Sequence, residues 1–314
     1  MTNALLYAVT VLVWGSTWLA IEFQLGTVAP EVSVFYRYGL AAIVLFAWCR
    51  FRRLPLGFDL RAHGYFALLG LCLFGLNYLL TYYAQQHITS ALTAIAFSTM
   101  LWMNIINARI FFGTRIELRV VLGSMLGIAG IVALFLPEIE AVSWSDATLL
   151  GASLCSLGAL IASLGNMVSQ AAQRRALPVM QSNAWGMLYG AGITGGYTLL
   201  SGQPFDFDPS AGYVLSLLYL VVFGSIVAFG AYLTLLGRIG AHKSGYAFVM
   251  FPVVAVVLSA MFEGLDITAN VLLGVMLVIA GNLITLDGAG KSAPIAGLRR
   301  RFRRRALVTA PVGE

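Results

Sequence analysis

The chain has 314 residues, of which 60% are apolar and only 10% charged, and a net charge of +6. An ordinary soluble domain is roughly 45–50% apolar and about 25% charged, so a water-soluble fold could not hide this much apolar surface. Charges are absent from long intervals, each near the roughly 20 residues a helix needs to cross a hydrocarbon layer, which excludes a soluble enzyme and leaves an integral membrane protein.

The intervals have helical length and lack the short alternating segments of barrel strands, so the predicted class is an all-α membrane protein. Ten spans are expected, at about 3–22, 32–49, 63–83, 89–112, 118–136, 147–171, 182–201, 212–235, 243–262 and 268–286. The first lacks a basic start and a small-residue cleavage site and reads as a retained helix. Its centre, Trp14-Gly15-Ser16-Thr17-Trp18, places polar groups and two amphipathic rings where only lipid or another helix would surround them. Cys49, Cys72 and Cys155 all fall inside spans, which gives no support for a disulfide framework. Trp48, Tyr83 and Trp144 have the placement of interface aromatics.

Lys and Arg near helix ends stay on the cytoplasmic side. With the N-terminus in the cytoplasm, 18 of the 19 basic residues, all but Arg37, fall inside, while the opposite loops carry Glu22, Glu31, Glu138, Glu140, Asp146, Asp206, Asp208, Glu263 and Asp266. Both termini are therefore expected inside, in a bacterial inner membrane. The positive charge then reflects orientation, and no nucleic-acid partner is expected. The basic end, 291–314 with GLRRRFRRR, reads as a solvated cytoplasmic tail or as a contact with anionic membrane lipid. For Arg37, near the outer end of the second span, the structural reading is snorkelling or a pair with Glu22 or Glu31.

The segment VVLGSMLGIAGIVALF at 120–135 matches VLLGVMLVIAGNLITL at 271–286, with Gly123 over Gly274 and Gly130 over Gly281. At the same offset Phe97 falls on Phe248. A two-residue slip sets Phe74-Gly75 against Phe223-Gly224, and a one-residue slip sets Gly15-Ser16 against Gly165-Asn166. The chain thus reads as two five-helix repeats, 1–140 and 141–290. Because five is odd, the second must enter the membrane from the opposite side, the inverted arrangement of many secondary transporters, whose site lies near the midplane between the repeats.

Trp14-Gly15-Ser16, the closing LGSMLGIAG and LLGVMLVIAG, and Pro252 in the ninth span together resemble the drug/metabolite transporter superfamily, in particular its ten-helix EamA-type permeases. The resemblance covers about residues 4–287. It implies export of small metabolites, often amino acids, and is most similar to exporters of aromatic amino acids of the YddG type. Leu101 departs from it, standing where the first-half counterpart of Pro252 is often also proline.

Polar groups at mid-depth should face a neighbouring helix or a water-filled cavity. The candidate substrate-binding residues are Trp14 and Ser16 on the first span, Asn77, Tyr78 and Tyr82 on the third, and Ser98, Thr99 and Trp102 on the fourth. Ser163 and Asn166 on the sixth, Trp185 on the seventh, Tyr232 on the eighth, and Tyr246 and Phe248 on the ninth complete the set. Ser98, Thr99 and Ser163 have the alternative of bonding back to their own helix. Rings with hydrogen-bonding tips beside small hydroxyls and amides suit a ligand with one apolar part and a few polar ones. With no Lys or Arg expected at mid-depth, nucleotide sugars and sugar phosphates are disfavoured. Gly123xxxGly127 and Gly186xxxGly190 read as helix-packing faces.

The expectation is a secondary exporter of amino acids or similar amphipathic metabolites, working by alternating access as a monomer, with no cofactor and no metal. Glu22 is the only carboxylate placed where it could carry a coupling proton, the expectation runs against that role, and facilitated movement down a gradient stays open. The rival readings are a multidrug efflux carrier and, further off, a membrane-embedded enzyme, for which HExxH, GxSxG and clustered His, Cys and Asp are all missing.

Overall fold

The computed structural model describes residues 1–24, 26–142, 145–262 and 268–286, and every regular element among them is helical. The basic tail, Trp144, Glu263 and Asp266 lie outside the described residues, as do the side chains of Trp18, Glu22 and Glu138. In chain order the helices are α1 (Asn3–Glu22), α2 (Pro30–Phe51), α3 (Leu60–Gln85), α4 (Ser90–Ser98), α5 (Met100–Phe112) and α6 (Leu118–Leu134). They continue with α7 (Asp146–Arg174), α8 (Val179–Leu200), α9 (Ala211–Ile239), α10 (Tyr246–Phe262) and α11 (Ala269–Leu286). Short turns of helix, Leu136–Glu140 and Ala241–Ser244, precede α7 and α10.

Local sequence sets where many of these helices begin. Thr2, Asp59, Thr89, Ser145 and Ser210 each accept a hydrogen bond from the backbone N–H three residues on, satisfying a donor the helix itself cannot. Pro30 opens α2, and Gly113 closes α5 in the left-handed conformation at φ 64°, the region glycine enters without penalty. Among the described residues six helices are long and apolar enough to cross a membrane, including α2, α7 and the whole of α3 and α9. α6 is as apolar but shorter. α8 has the length, but Gln181, Ser182, Asn183 and five glycines dilute it. Leu12, Ile43, Leu122, Leu215 and Met276 stand exposed on the outer surface, which suits contact with lipid.

Three of the helices are distorted, and the distortions bear on the site. α3 widens to a π-turn over Gly70–Gly75, and α9 does so over Leu220–Val227. The fourth span, expected as one helix over 89–112, is broken between α4 and α5. There Ser98 Oγ donates to the carbonyl of Ile95 and Thr99 Oγ1 to that of Ala96, the back-bonding that bends helices.

Glycines set the closest contacts. α6 and α11 meet so tightly that a Cβ on Gly130 would lie 2.7 Å from the carbonyl oxygen of Gly274, and one on Gly281 would lie 2.5 Å from that of Gly123. Gly186 and Gly190 of α8 receive Phe74 of α3, whose atoms would stand 2.9 Å and 2.6 Å from an added Cβ. Both small-residue faces expected from sequence are therefore helix-packing faces. Gly15 has the same role on α1, since a Cβ there would stand 2.6 Å from the Cβ of Val254 on α10.

Candidate functional site

A cavity of about 80 Å³ lies inside the bundle, the space of roughly five to eight waters on the same measure. α1 lines it with Trp14, Thr17 and Ile21, residues three and four apart and so on one face. α3 contributes Asn77, Tyr78, Thr81, Tyr82 and Gln85 just beyond its π-turn. Phe97 and Met100 flank the break between α4 and α5, and Asn166 comes from α7. Phe229 and Tyr232 come from α9, Phe248 and Phe251 from α10, and Arg37 from α2.

Trp14 is the hub of one wall. Its ring lies 4.8 Å from that of Phe229, 5.1 Å from Tyr232, 5.7 Å from Phe248 and 5.6 Å from Phe251, in the range where aromatic pairs attract beyond their area. Its indole Nε1 donates to the carbonyl of Gly224, 3.0 Å away in the π-turn of α9. That bond explains why a ring with a polar tip stands at the centre of an oily helix: it ties α1 to the distorted turn. Ser16 and Thr17 bond back to the carbonyls of Val13 and Trp14, and Ser16 also meets the hydroxyl of Tyr219 at 2.6 Å.

Polar groups are set among these rings and beside them. Asn77 Oδ1, Asn166 Oδ1, Gln85 Oε1, the Tyr232 hydroxyl and Arg37 Nη1 are buried without a hydrogen-bond partner. Asn166 uses its Nδ2 to bond Asn104 Oδ1 at 3.2 Å. Buried polar atoms left without a partner are costly, and these five belong to residues that line the cavity.

Half of the sequence candidates meet here: Trp14, Asn77, Tyr78, Tyr82, Asn166, Tyr232 and Phe248. The others lie elsewhere. Ser16 faces Tyr219, and Ser98 and Thr99 bond back to their own helix. Ser163 accepts a bond from Asn107 Nδ2 at 2.9 Å, and Trp185 donates to the carbonyl of Leu56 beside His63. Tyr246 is fully buried against the glycines of α6, and Trp102 is half-buried outside the lining. Thr81, Gln85, Phe229 and Phe251 were missed, although each lies three or four residues from a recognised candidate and shares its face.

The larger correction concerns Arg37. It forms no ion pair with Glu31, whose Oε2 instead accepts from the hydroxyl of Tyr83 at 3.3 Å; the pair expected with Glu22 falls on a side chain outside the described residues. Arg37 is 2% exposed and lines the cavity, so the expectation of a site free of positive charge does not hold. Snorkelling fails because α9 covers the side chain: Nε donates to Ser225 Oγ at 2.9 Å.

A bundle of apolar helices around a cavity lined by rings with a few polar groups among them suits a membrane transporter. The EamA-like transporter family model matches residues 1–136 and again 149–286, and the chain belongs to that family. It is 23% identical to the uncharacterized transporter YoaV of Bacillus subtilis over 86% of this chain and 91% of that protein. It is 29% identical to the uncharacterized inner membrane transporter YedA of Escherichia coli over 81% and 80%. It is also 24% identical to the protein PagO of Salmonella typhimurium over 90% and 92%. A solved crystal structure superposes with a TM-score of 0.76 at 17% identity, over 92% of this chain and 98% of that one. The protein is thus a multi-pass membrane transporter.

Proposed function

We propose that this transporter is a secondary carrier that exports amino acids or similar small amphipathic metabolites across the inner membrane, close in its substrates to exporters of the YddG type. Its halves, 1–140 and 141–290, are five-span inverted repeats with both termini in the cytoplasm, and the solute passes between them by alternating access. The observation that carries this reading is that the cavity takes its lining from both stretches matched by the family model: Trp14, Asn77 and Tyr78 from the first, Asn166, Tyr232 and Phe248 from the second. Matching distortions support the repeat, since the two π-turns fall where the internal alignment sets Phe74-Gly75 against Phe223-Gly224. The basic residues at one end of the bundle support the orientation.

Ile21 and Gln85, near the ends of α1 and α3 that charge assigns to the outside, line the cavity, while the rings of Trp14, Tyr232 and Phe248 pack on one another nearer mid-depth. On this reading the conformation is outward-facing. Cationic drug efflux is disfavoured, because among the described residues the one charged side chain in the lining is the cation Arg37. The test is reconstitution in liposomes with radiolabelled threonine, methionine, phenylalanine and tryptophan. Uptake of at least one is expected. Uptake of none, with robust uptake of a phosphorylated sugar, overturns the substrate class.

A further inference from the structure

Nothing in the described protein neutralises Arg37. Tyr78 and Tyr38 stand with ring centroids 4.9 Å and 5.3 Å from its Cζ, and Ser225 holds Nε. Among the described residues no carboxylate comes within ion-pair distance, and Nη1 has no hydrogen-bond partner. The seat is built: a Cβ at position 224 would stand 3.1 Å from Nη2 and from Thr17 Cγ2, so a glycine there leaves room for the guanidinium. Rings and a hydroxyl orient the group without supplying counter-charge. An ionisable side chain within a span that no described residue pairs is by default a candidate for function; the side chain of Glu22 lies outside the described residues.

We propose that Arg37 receives a carboxylate on the transported solute. The inference rests on reading the cavity as the solute site and narrows its substrates to carboxylates, zwitterions included. The planar guanidinium presents a fork of donors that matches the two oxygens of a carboxylate. A phosphate monoester carries close to two negative charges at neutral pH, and one cation among neutral amides, hydroxyls and rings leaves the second unpaired. The unpartnered oxygens of Asn77 and Asn166 are acceptors for the ammonium of a zwitterion, and the Trp14 wall takes the apolar part.

The test is titration calorimetry on the full chain in detergent, with L-methionine and L-phenylalanine, each against its isosteric amide, and with phenyl phosphate. The wild type is expected to bind the carboxylates roughly ten-fold or more tightly than the amides, the scale of a hydrogen bond to a charged group. Arg37→Gln is expected to bring carboxylate binding down to that of the amides while leaving the amides unchanged. Where Arg37→Gln fails to fold, Arg37→Lys is used: losing the fork is expected to cut the preference several-fold. An undiminished preference in the folded variant, or equal binding of acid and amide by the wild type, overturns the role of Arg37 and leaves the cavity reading intact. Tighter binding of phenyl phosphate overturns the carboxylate in favour of a phosphate. Binding of no probe at all overturns the cavity reading and this inference with it.

Discussion

Trp14 combines two jobs in one side chain: it fills the space among four rings and anchors the π-turn through Gly224. Trp14→Phe keeps an aromatic body and loses the bond, at a cost of about 0.5–1.5 kcal/mol, while Trp14→Ala also opens a void and costs about 3–5 kcal/mol. Thermal unfolding of the purified protein is expected to rank them wild type, Phe, Ala, and equal midpoints for wild type and Ala would refute the packing described. Trp14, Asn77, Tyr78 and Tyr82 were legible in the sequence because a mid-depth ring or amide with a polar tip has few places to go in lipid. Arg37 was not. It stands seven residues from the start of α2, about 10 Å along a helix at 1.5 Å per residue, a distance over which a long side chain can reach the interface. Only the position of Ser225 and Gly224 on a helix 188 residues away in sequence closes that route.

At the scale of the helix, the repeated glycines were readable and the distortions were not. Gly123, Gly130, Gly274 and Gly281 announce themselves by period, and they bring α6 and α11 backbone to backbone. The π-turns and the break at Thr99 depend on neighbours instead: Gly70 opens one π-turn where an added Cβ would lie 2.8 Å from the carbonyl oxygen of Gly186 and from the amide nitrogen of Gly190. A single sequence carries no local mark of such an approach. Gly281→Ala and Gly39→Ala separate packing from propensity. The first drives a methyl into the carbonyl of Gly123 at 2.5 Å and the amide of Gly127 at 2.9 Å, backbone that cannot swing aside, and is expected to destabilise by about 1–3 kcal/mol. The second meets only Ala191 Cβ at 3.9 Å and is expected to be neutral, or stabilised by up to about 1 kcal/mol of helix propensity. Unfolding midpoints in one detergent decide it, and equal shifts for both would show that the α6–α11 contact tolerates more room than its geometry implies.

At the scale of the molecule, what matters is where the two family-matched stretches are joined and where they part. The cavity takes its lining from both, and apart from it Glu117, just before α6, faces Arg119 and reaches Lys243 in the other stretch at 3.8 Å. The hydrogen bond from Arg119, then the charge of Lys243, hold the Glu117 carboxyl below its ordinary value of 4.5. A carboxyl depressed by folding adds stability above its unfolded pKa and loses that contribution as pH falls through the folded one. The tie between the two stretches is therefore complete at neutral pH and is lost as the pH falls through the lowered folded pKa. Glu117 is 39% exposed, so its contribution belongs to the surface range of about 0–1 kcal/mol. Glu117→Gln is expected to lower the unfolding midpoint slightly at pH 7 and to converge with the wild type on acidification, because both then lack the charge. Melting curves between pH 7 and pH 3.5 check it, and a gap between the two proteins that stays constant into acid would mean that shape and not charge links the two stretches here.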